Sequence, residues 1–413
     1  MRSVYPSHLQ PYYIKVFNRM GRSLQRRGFS RPQLCPEALL AHARRRTGLT
    51  DFSDESFRPG LEKLCESLNM EAALSQVGRI AAWFNLLDSL CVRLSMVNYR
   101  KIRPEIARET IAQPLIILGL PRTGTTILYE LLAQDPAHRS PASWEVARPI
   151  PPAQENNYLS DPRIRRVDLL LSLAEKLAPG LRSVHAIGAQ LPQECVYILA
   201  SHFISEQFGF MYNIPGYRDW ALEQDMTGAY RWHANFLQHM QVDFHRERWV
   251  LKTPPHVAYL KYLLAQYPDA LLVWTHREPL AAITSFASLA STLRAGFSDD
   301  IDPKKIGPRE AAHFSKMLAQ GVAQRKQLDT GQFFDVSFDS ICTDPMAVVR
   351  NIYDFFGLVL GGEAERRMSR YLQMRPRHLF GEHKYSVEDF GLADPKYGEL
   401  FSDYRDLYKK FLR

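Results

Sequence analysis

The sequence predicts an α/β fold of three layers, α/β/α, around a central and mostly parallel sheet. Two strand–turn–helix units and one further apolar run ahead of a helix predict it. The first unit is the apolar run Leu115 to Leu118, a Gly/Pro/Thr turn, and an apolar-periodic stretch from Ile127 to Leu132. The second is Ala270 to Trp274, a turn from His276 to Pro279, and a helix with small residues from Leu280 to Leu289. The third run, Phe333 to Phe338, precedes a helical segment from Met346 to Phe356. Strands that alternate with helices pair in parallel and place ligands at their carboxyl ends.

Ahead of the sheet, residues 1–30 read as a basic amphipathic segment and residues 31–104 as a helical region packed on the core. From Tyr13, the apolar residues Val16, Phe17, Met20 and Leu24 follow helical spacing, with Lys15, Arg19, Arg22 and Arg26 on the other side of the wheel. Such a helix suits an anionic membrane surface, its own domain or a second subunit in a homodimer. Further on, Leu61, Leu64 and Leu68, then Ile80, Phe84, Leu87, Leu90 and Leu94, recur at helical intervals and are assigned to packing. The sheet domain spans 105–413, with a helical insertion at about 150–248 that is rich in Leu, Tyr, Phe and Trp. Its aromatic residues Tyr197, Phe203, Phe208, Phe210, Tyr212, Trp220 and Trp232 could line a ligand pocket, but for any single one a place in the core is the better assignment.

At 413 residues and 46% apolar content the chain can bury a substantial core. Its five cysteines are scattered and never form a CxxC pair, which argues against a disulfide framework or a structural zinc site. The start lacks the pattern of a signal peptide, and no run approaches the roughly 20 apolar residues that span a bilayer. The expectation is a cytoplasmic protein, soluble or peripheral to the inner face of the membrane. Of the +8 net charge, residues 1–50 carry +9, with ten Lys/Arg against Glu37 alone, so the body is nearly neutral and no nucleic-acid partner is implied.

Chemistry concentrates in Gly119-Leu-Pro-Arg-Thr-Gly-Thr-Thr126, which follows a strand and opens a helix, so that its N–H groups can cradle a phosphate-like anion. The loop is P-loop-like in its Gly-x4-Gly spacing. Thr125 stands where a nucleotide P-loop has its lysine, and Arg122 lies inside the loop. Trp274 and Thr275 lead into His276 and Arg277, so no acid ends the second strand to hold magnesium. A kinase or NTPase reading loses both of its main supports.

GLPRTGTT resembles the 5′-phosphosulfate loop of the sulfotransferases that use 3′-phosphoadenosine-5′-phosphosulfate (PAPS). The resemblance is to the branch that includes tyrosylprotein sulfotransferases and many bacterial enzymes, among them sulfotransferases of hydroxylated lipids such as a hydroxylated menaquinone. It extends through WVLKTPPHVAYLKYLLAQYPDALLVWTHREP, FDSICTDPMAVVRNIYDFFGL and HKYSVEDFGL, and so covers about residues 105–413. The lead from 36 to 104 is also similar to bacterial members.

The resemblance implies PAPS as co-substrate, no metal, and a donor site of Arg122, Thr123, Gly124, Thr125 and Thr126. Arg277 and Ser285, eight residues apart in THREPLAAITSFASL, correspond to the family's pair for the 3′-phosphate. A guanidinium and a helix-start hydroxyl suit that anion. Lys384 in HKYS is a further candidate there. Lys252 in LKTPP corresponds to the lysine that stabilises the leaving group, with Arg122 sharing that charge. Glu145 stands at the distance of the general base of tyrosylprotein sulfotransferases. His256, and His185 with Glu194, compete with it, since an imidazole near neutral pKa suits an alcohol's proton. A hydrophobic, lipid-like alcohol is the favoured acceptor. Carbohydrate, phenol and polyketide hydroxyls stay open, as does a catalytically silent PAP-binding scaffold.

Overall fold

The computed structural model describes residues 12–26, 34–177, 187–298, 300–328, 330–374 and 386–412. Among these, five short strands build one sheet: β1 Leu115–Gly119, β2 His138–Arg139, β3 Arg248–Lys252, β4 Leu271–His276 and β5 Phe333–Ser337. Their spatial order is β2-β3-β1-β4-β5, with every neighbouring pair parallel.

The two faces of β1 explain the three layers. Ile116 and Leu118 join the large core that also holds Leu61, Leu64, Leu90 and Leu94. Leu115 and Ile117 point the other way, into a second core with Leu128, Val349 and Ile352. Period-two alternation in a strand covered on both sides gives an unbroken apolar run, which is what made β1 legible. β2 and β3 were not. Two residues carry no period, and Trp249 to Lys252 reads as a strand once β1 and β2 flank it.

Before the sheet come α1 (Tyr12–Arg26), α2 (Pro36–Thr47), α3 (Arg58–Met70) and α4 (Gln76–Ile102). Ser75 caps α4 by accepting the Gly78 N–H at 3.1 Å. By length and composition alone α4 could cross a bilayer. Leu86, Leu87, Leu90, Leu94 and Met96 are nevertheless buried among protein side chains. Arg93 of the same helix lies 4.4 Å from the Phe57 ring and 4.3 Å from that of Trp232, and donates to the Phe52 carbonyl at 2.9 Å. Burial pulls its guanidinium down to about 10. Ile80 and Phe84, assigned to packing from their spacing, are instead exposed.

After β1 follow α5 (Thr125–Leu132), α6 (Ser143–Ala147) and α7 (Pro162–Leu177). Then come α8 (Cys195–Ala200), α9 (Glu206–Met211), α10 (Pro215–Leu222) and α11 (Thr227–Gln241), all before β3. Of the aromatic residues noted in this stretch, Phe203, Phe208, Tyr212 and Trp232 are core side chains, while Tyr197 is exposed. The sheet continues through α12 (Leu260–Gln266), α13 (Pro279–Ala295) and α14 (Pro303–Arg325).

Candidate active site

Because β3, β1 and β4 are adjacent and parallel, their carboxyl ends bring three chain segments to one edge. Ile117 pairs with Lys252, and Gly119 with Thr275. The loop between β1 and α5 is tightly built. Gly119 has φ +141, and a Cβ there would stand 2.5 Å from the Thr275 carbonyl oxygen. Gly124 has φ +86 and starts α5. Arg122 takes φ +67, a left-handed conformation that costs a non-glycine residue on the order of 1 kcal/mol. Thr123 holds the loop from within: its hydroxyl donates to the Leu120 carbonyl at 2.6 Å and lies 2.6 Å from the Thr275 hydroxyl. The N–H groups of the first turn of α5 have no intrahelical acceptor, the arrangement that suits an anion.

Lys252, at the end of β3, is buried, and its ammonium donates to Oε1 of Glu194. It also lies 3.4 Å from the Thr126 hydroxyl, so one cation spans the loop and a carboxylate. Thr253 donates to the other oxygen of Glu194 at 3.4 Å. Glu194 is held from its own side as well: its N–H donates to Oε1 of Gln193 at 2.9 Å, and the Tyr129 hydroxyl donates to the Gln193 carbonyl at 2.9 Å. The next residue, Cys195, is fully buried, and burial pushes its thiol up to about 12, which leaves it without nucleophilic character.

A second basic cluster lies beside the loop. The Arg122 Nε donates to the Ser285 hydroxyl at 3.1 Å, and Arg277 donates to the Arg122 carbonyl at 2.8 Å. The Phe338 ring supports the Arg277 guanidinium at 4.1 Å. Arg122, Arg277 and Ser285 are therefore brought together. The Arg122 side chain is directed to Ser285 rather than to Lys252, so the expectation that it shares the leaving-group charge gives way to a place in this cluster.

Other expected residues are placed differently. Glu145 is buried and locked: Arg139 pairs with Oε1, while the Tyr158 hydroxyl at 2.6 Å and the Ala142 N–H at 3.2 Å donate to Oε2. A carboxylate so enclosed holds α6 in place, and its burial keeps it from a substrate hydroxyl. His256 is also turned inward. Pro254 and Pro255 start a short 3-10 turn that buries it, with Nδ1 2.7 Å from the Tyr230 hydroxyl. Burial, with His233 beside it, lowers its pKa well below the imidazole range, against a role as base. Thr123 offers the loop interior its hydroxyl and can offer a ligand only its N–H. His185 and Lys384 lie outside the described residues. Glu194, read from sequence only as a companion of His185, is the carboxylate that meets Lys252. The contact joins two segments 58 residues apart, which no local pattern could announce.

Residues 114–360 match the Sulfotransferase family. The omega-hydroxy-beta-dihydromenaquinone-9 sulfotransferase of Mycobacterium tuberculosis, like that of Mycobacterium bovis, is 26% identical over 337 residues, 75% of this chain and 82% of the relative. Two solved structures share the fold. Sulfotransferase STF1 from Mycobacterium tuberculosis matches with TM-score 0.81 and 32% identity, over 90% of this chain and 100% of that one. Sulfotransferase STF9 from Mycobacterium avium matches with TM-score 0.81 and 28% identity, over 90% of this chain and 96% of that one. With more than half of its length in the family match, and the anion loop, the Lys252–Glu194 pair and the Arg122–Arg277–Ser285 cluster at one sheet edge, this chain is an enzyme that belongs to the sulfotransferase family.

Proposed function

We propose that this sulfotransferase moves a sulfuryl group from PAPS to the hydroxyl of a lipid-like alcohol, with Glu194 as general base and Lys252 at the leaving oxygen. The observation that carries the reading is Lys252 itself, shared between Thr126 of the anion loop and the Glu194 carboxylate. The residues present fit PAPS. The loop N–H groups with Thr125, Thr126 and Lys252 suit the 5′-phosphosulfate. Arg122, Arg277 and Ser285 suit the 3′-phosphate, beside the loop as one nucleotide requires.

When bound, PAPS supplies the sulfuryl group, whose sulfur gains a bond to the acceptor oxygen as its bond to the 5′-phosphate oxygen breaks with the electron pair. Glu194 accepts the proton of the acceptor hydroxyl. Lys252 gives up its contact with Glu194 and donates to the oxygen that leaves, placing positive charge where negative charge develops. Because Lys252 is buried, that charge acts in a medium of lower dielectric than water. The family of this chain implies PAPS as donor. The lipid acceptor is supported by the menaquinone-directed relative and by the basic amphipathic start.

Calorimetric titration with PAP, and separately with ATP and magnesium, tests the donor half. Binding of PAP without preference for ATP is expected, and preference for ATP would overturn it. Incubation with PAPS and hydroxylated isoprenoid quinones, sterols, sugars and phenols tests the acceptor half. Sulfation of the lipids above the others is expected, and preference for a sugar or phenol would overturn it.

A further inference from the structure

The apolar stripe of α1 is not what holds that helix in place. A narrow seam does: Ile14 is buried, Asn18 accepts the Val77 N–H at 3.1 Å, and a Cβ on Gly21 would meet the Gln76 side chain at 2.9 Å. The stripe faces outward instead, with Val16, Phe17 and Met20 all exposed. Lys15 and Arg19 are exposed on its flank.

The stripe has neighbours of the same kind. On α4, which receives the seam, Ile80 and Phe84 are exposed one and two turns beyond the contact. On α7, Leu169, Leu170 and Leu173 are exposed, and the Tyr13 hydroxyl of α1 donates to the Lys176 carbonyl at 2.7 Å. Three helices that touch through α1 thus carry eleven of the 19 large apolar side chains exposed among the described residues, and all but Ile102, at the far end of α4, lie toward the contact. Scattered singly such residues need no account, but gathered on adjoining helices they mark an interaction surface. α7 adds exposed Arg165, Arg166 and Lys176 against Asp168 and Glu175.

We propose that the outward faces of α1, α4 and α7 form one docking surface for an anionic lipid bilayer. The basic flanks decide for that occupant over a second copy of the chain: two such faces would bring like charges together, whereas anionic headgroups complement them. The surface is also coupled to the active site. Asp168 of α7 accepts the Ala189 N–H at 2.9 Å, and the segment from Ala189 to Gln193 runs along α6 into Glu194. A protein seated this way takes its acceptor from the bilayer. That consequence rests on the lipid-acceptor reading, while the docking itself does not.

The test is co-sedimentation of the full chain with acceptor-free vesicles, of phosphatidylcholine alone or mixed with phosphatidylglycerol. Binding to the mixed vesicles, weakened by salt, is expected. The pairs Phe17→Glu with Met20→Glu, and Leu169→Glu with Leu173→Glu, should each lower that binding by about tenfold or more. Both should keep wild-type affinity for PAP, which reports an intact fold. Equal binding to the two kinds of vesicle, indifference to either pair, or a dimer seen by light scattering that the same substitutions abolish would overturn the proposal. Since the vesicles hold no acceptor, failure here leaves the acceptor reading standing. Sulfation of sugars in preference to lipids, with docking intact, would fall on the acceptor alone.

Discussion

At the scale of single residues, the proposed mechanism divides the chemistry between Lys252 and Glu194, and their variants should separate accordingly. Lys252→Ala removes a donor aimed at developing charge, so kcat should fall on the order of 10²–10³-fold while PAP affinity changes little. Glu194→Gln keeps the shape of the site and removes the proton acceptor, for a loss of roughly 10²–10⁴ in kcat. Arg277→Ala should act the other way, weakening PAP binding before it slows turnover. Steady-state kinetics beside PAP titration checks all three, and equal losses of affinity and turnover in each would contradict the division. Glu145→Ala is the contrasting case. It strands the Arg139 guanidinium in the interior, which costs about 3–5 kcal/mol. A lowered Tm with near-normal kcat in the folded protein is expected, and a normal Tm with lost turnover would restore Glu145 to the reaction.

At the scale of elements, the loop between β1 and α5 has an interior fixed by its own hydrogen bonds, which suits the donor site proposed for it. Thr123→Val removes the hydroxyl that ties Leu120 to Thr275, leaving a buried carbonyl without a partner at a cost of about 1–3 kcal/mol. PAP affinity should drop several-fold even though no side-chain contact to the ligand is removed. Unchanged affinity would show that the loop holds its shape without the brace. This loop was legible in the sequence because glycine, proline and threonine at fixed spacing after an apolar run leave few alternatives. Arg277 and Ser285 were legible for a similar reason, since a strand end and a helix start fix their separation. The residue proposed as general base was not legible. Glu145 and Glu194 are both acids in a helical stretch, and what distinguishes them is tertiary: Arg139 and Tyr158 close around the first, while β3 delivers Lys252 to the second. The direction of the α1 stripe was hidden in the same way, because a helical period reports that a face is apolar and not whether anything covers it.

At the scale of the whole molecule, the core has consequences for pH. Burial lowers His202 and His233 to about 3 and His239 to about 4, from an ordinary value of 6.5. All three stay neutral in the folded chain at pH 5, whereas in the unfolded chain they take up protons below about 6.5. The unfolded state therefore binds more protons across that window, and stability must decline as pH falls through it. Each histidine contributes up to about 1.4 kcal/mol per pH unit. Acids extend the decline. Glu206 pays the cost of burial, but Arg218 and His313 outweigh that and hold it at about 2, below the ordinary 4.5. Its share of stability is complete above about 4.5 and is lost as the pH drops toward the folded value. Urea denaturation at a series of pH values should give a midpoint that is flat above about pH 7 and falls steadily from there to pH 4, with PAP raising it throughout. A midpoint unchanged between pH 7 and 5 would mean that these imidazoles gain protons in the native state, and so that the layer joining α4, α8 and α11 opens to water.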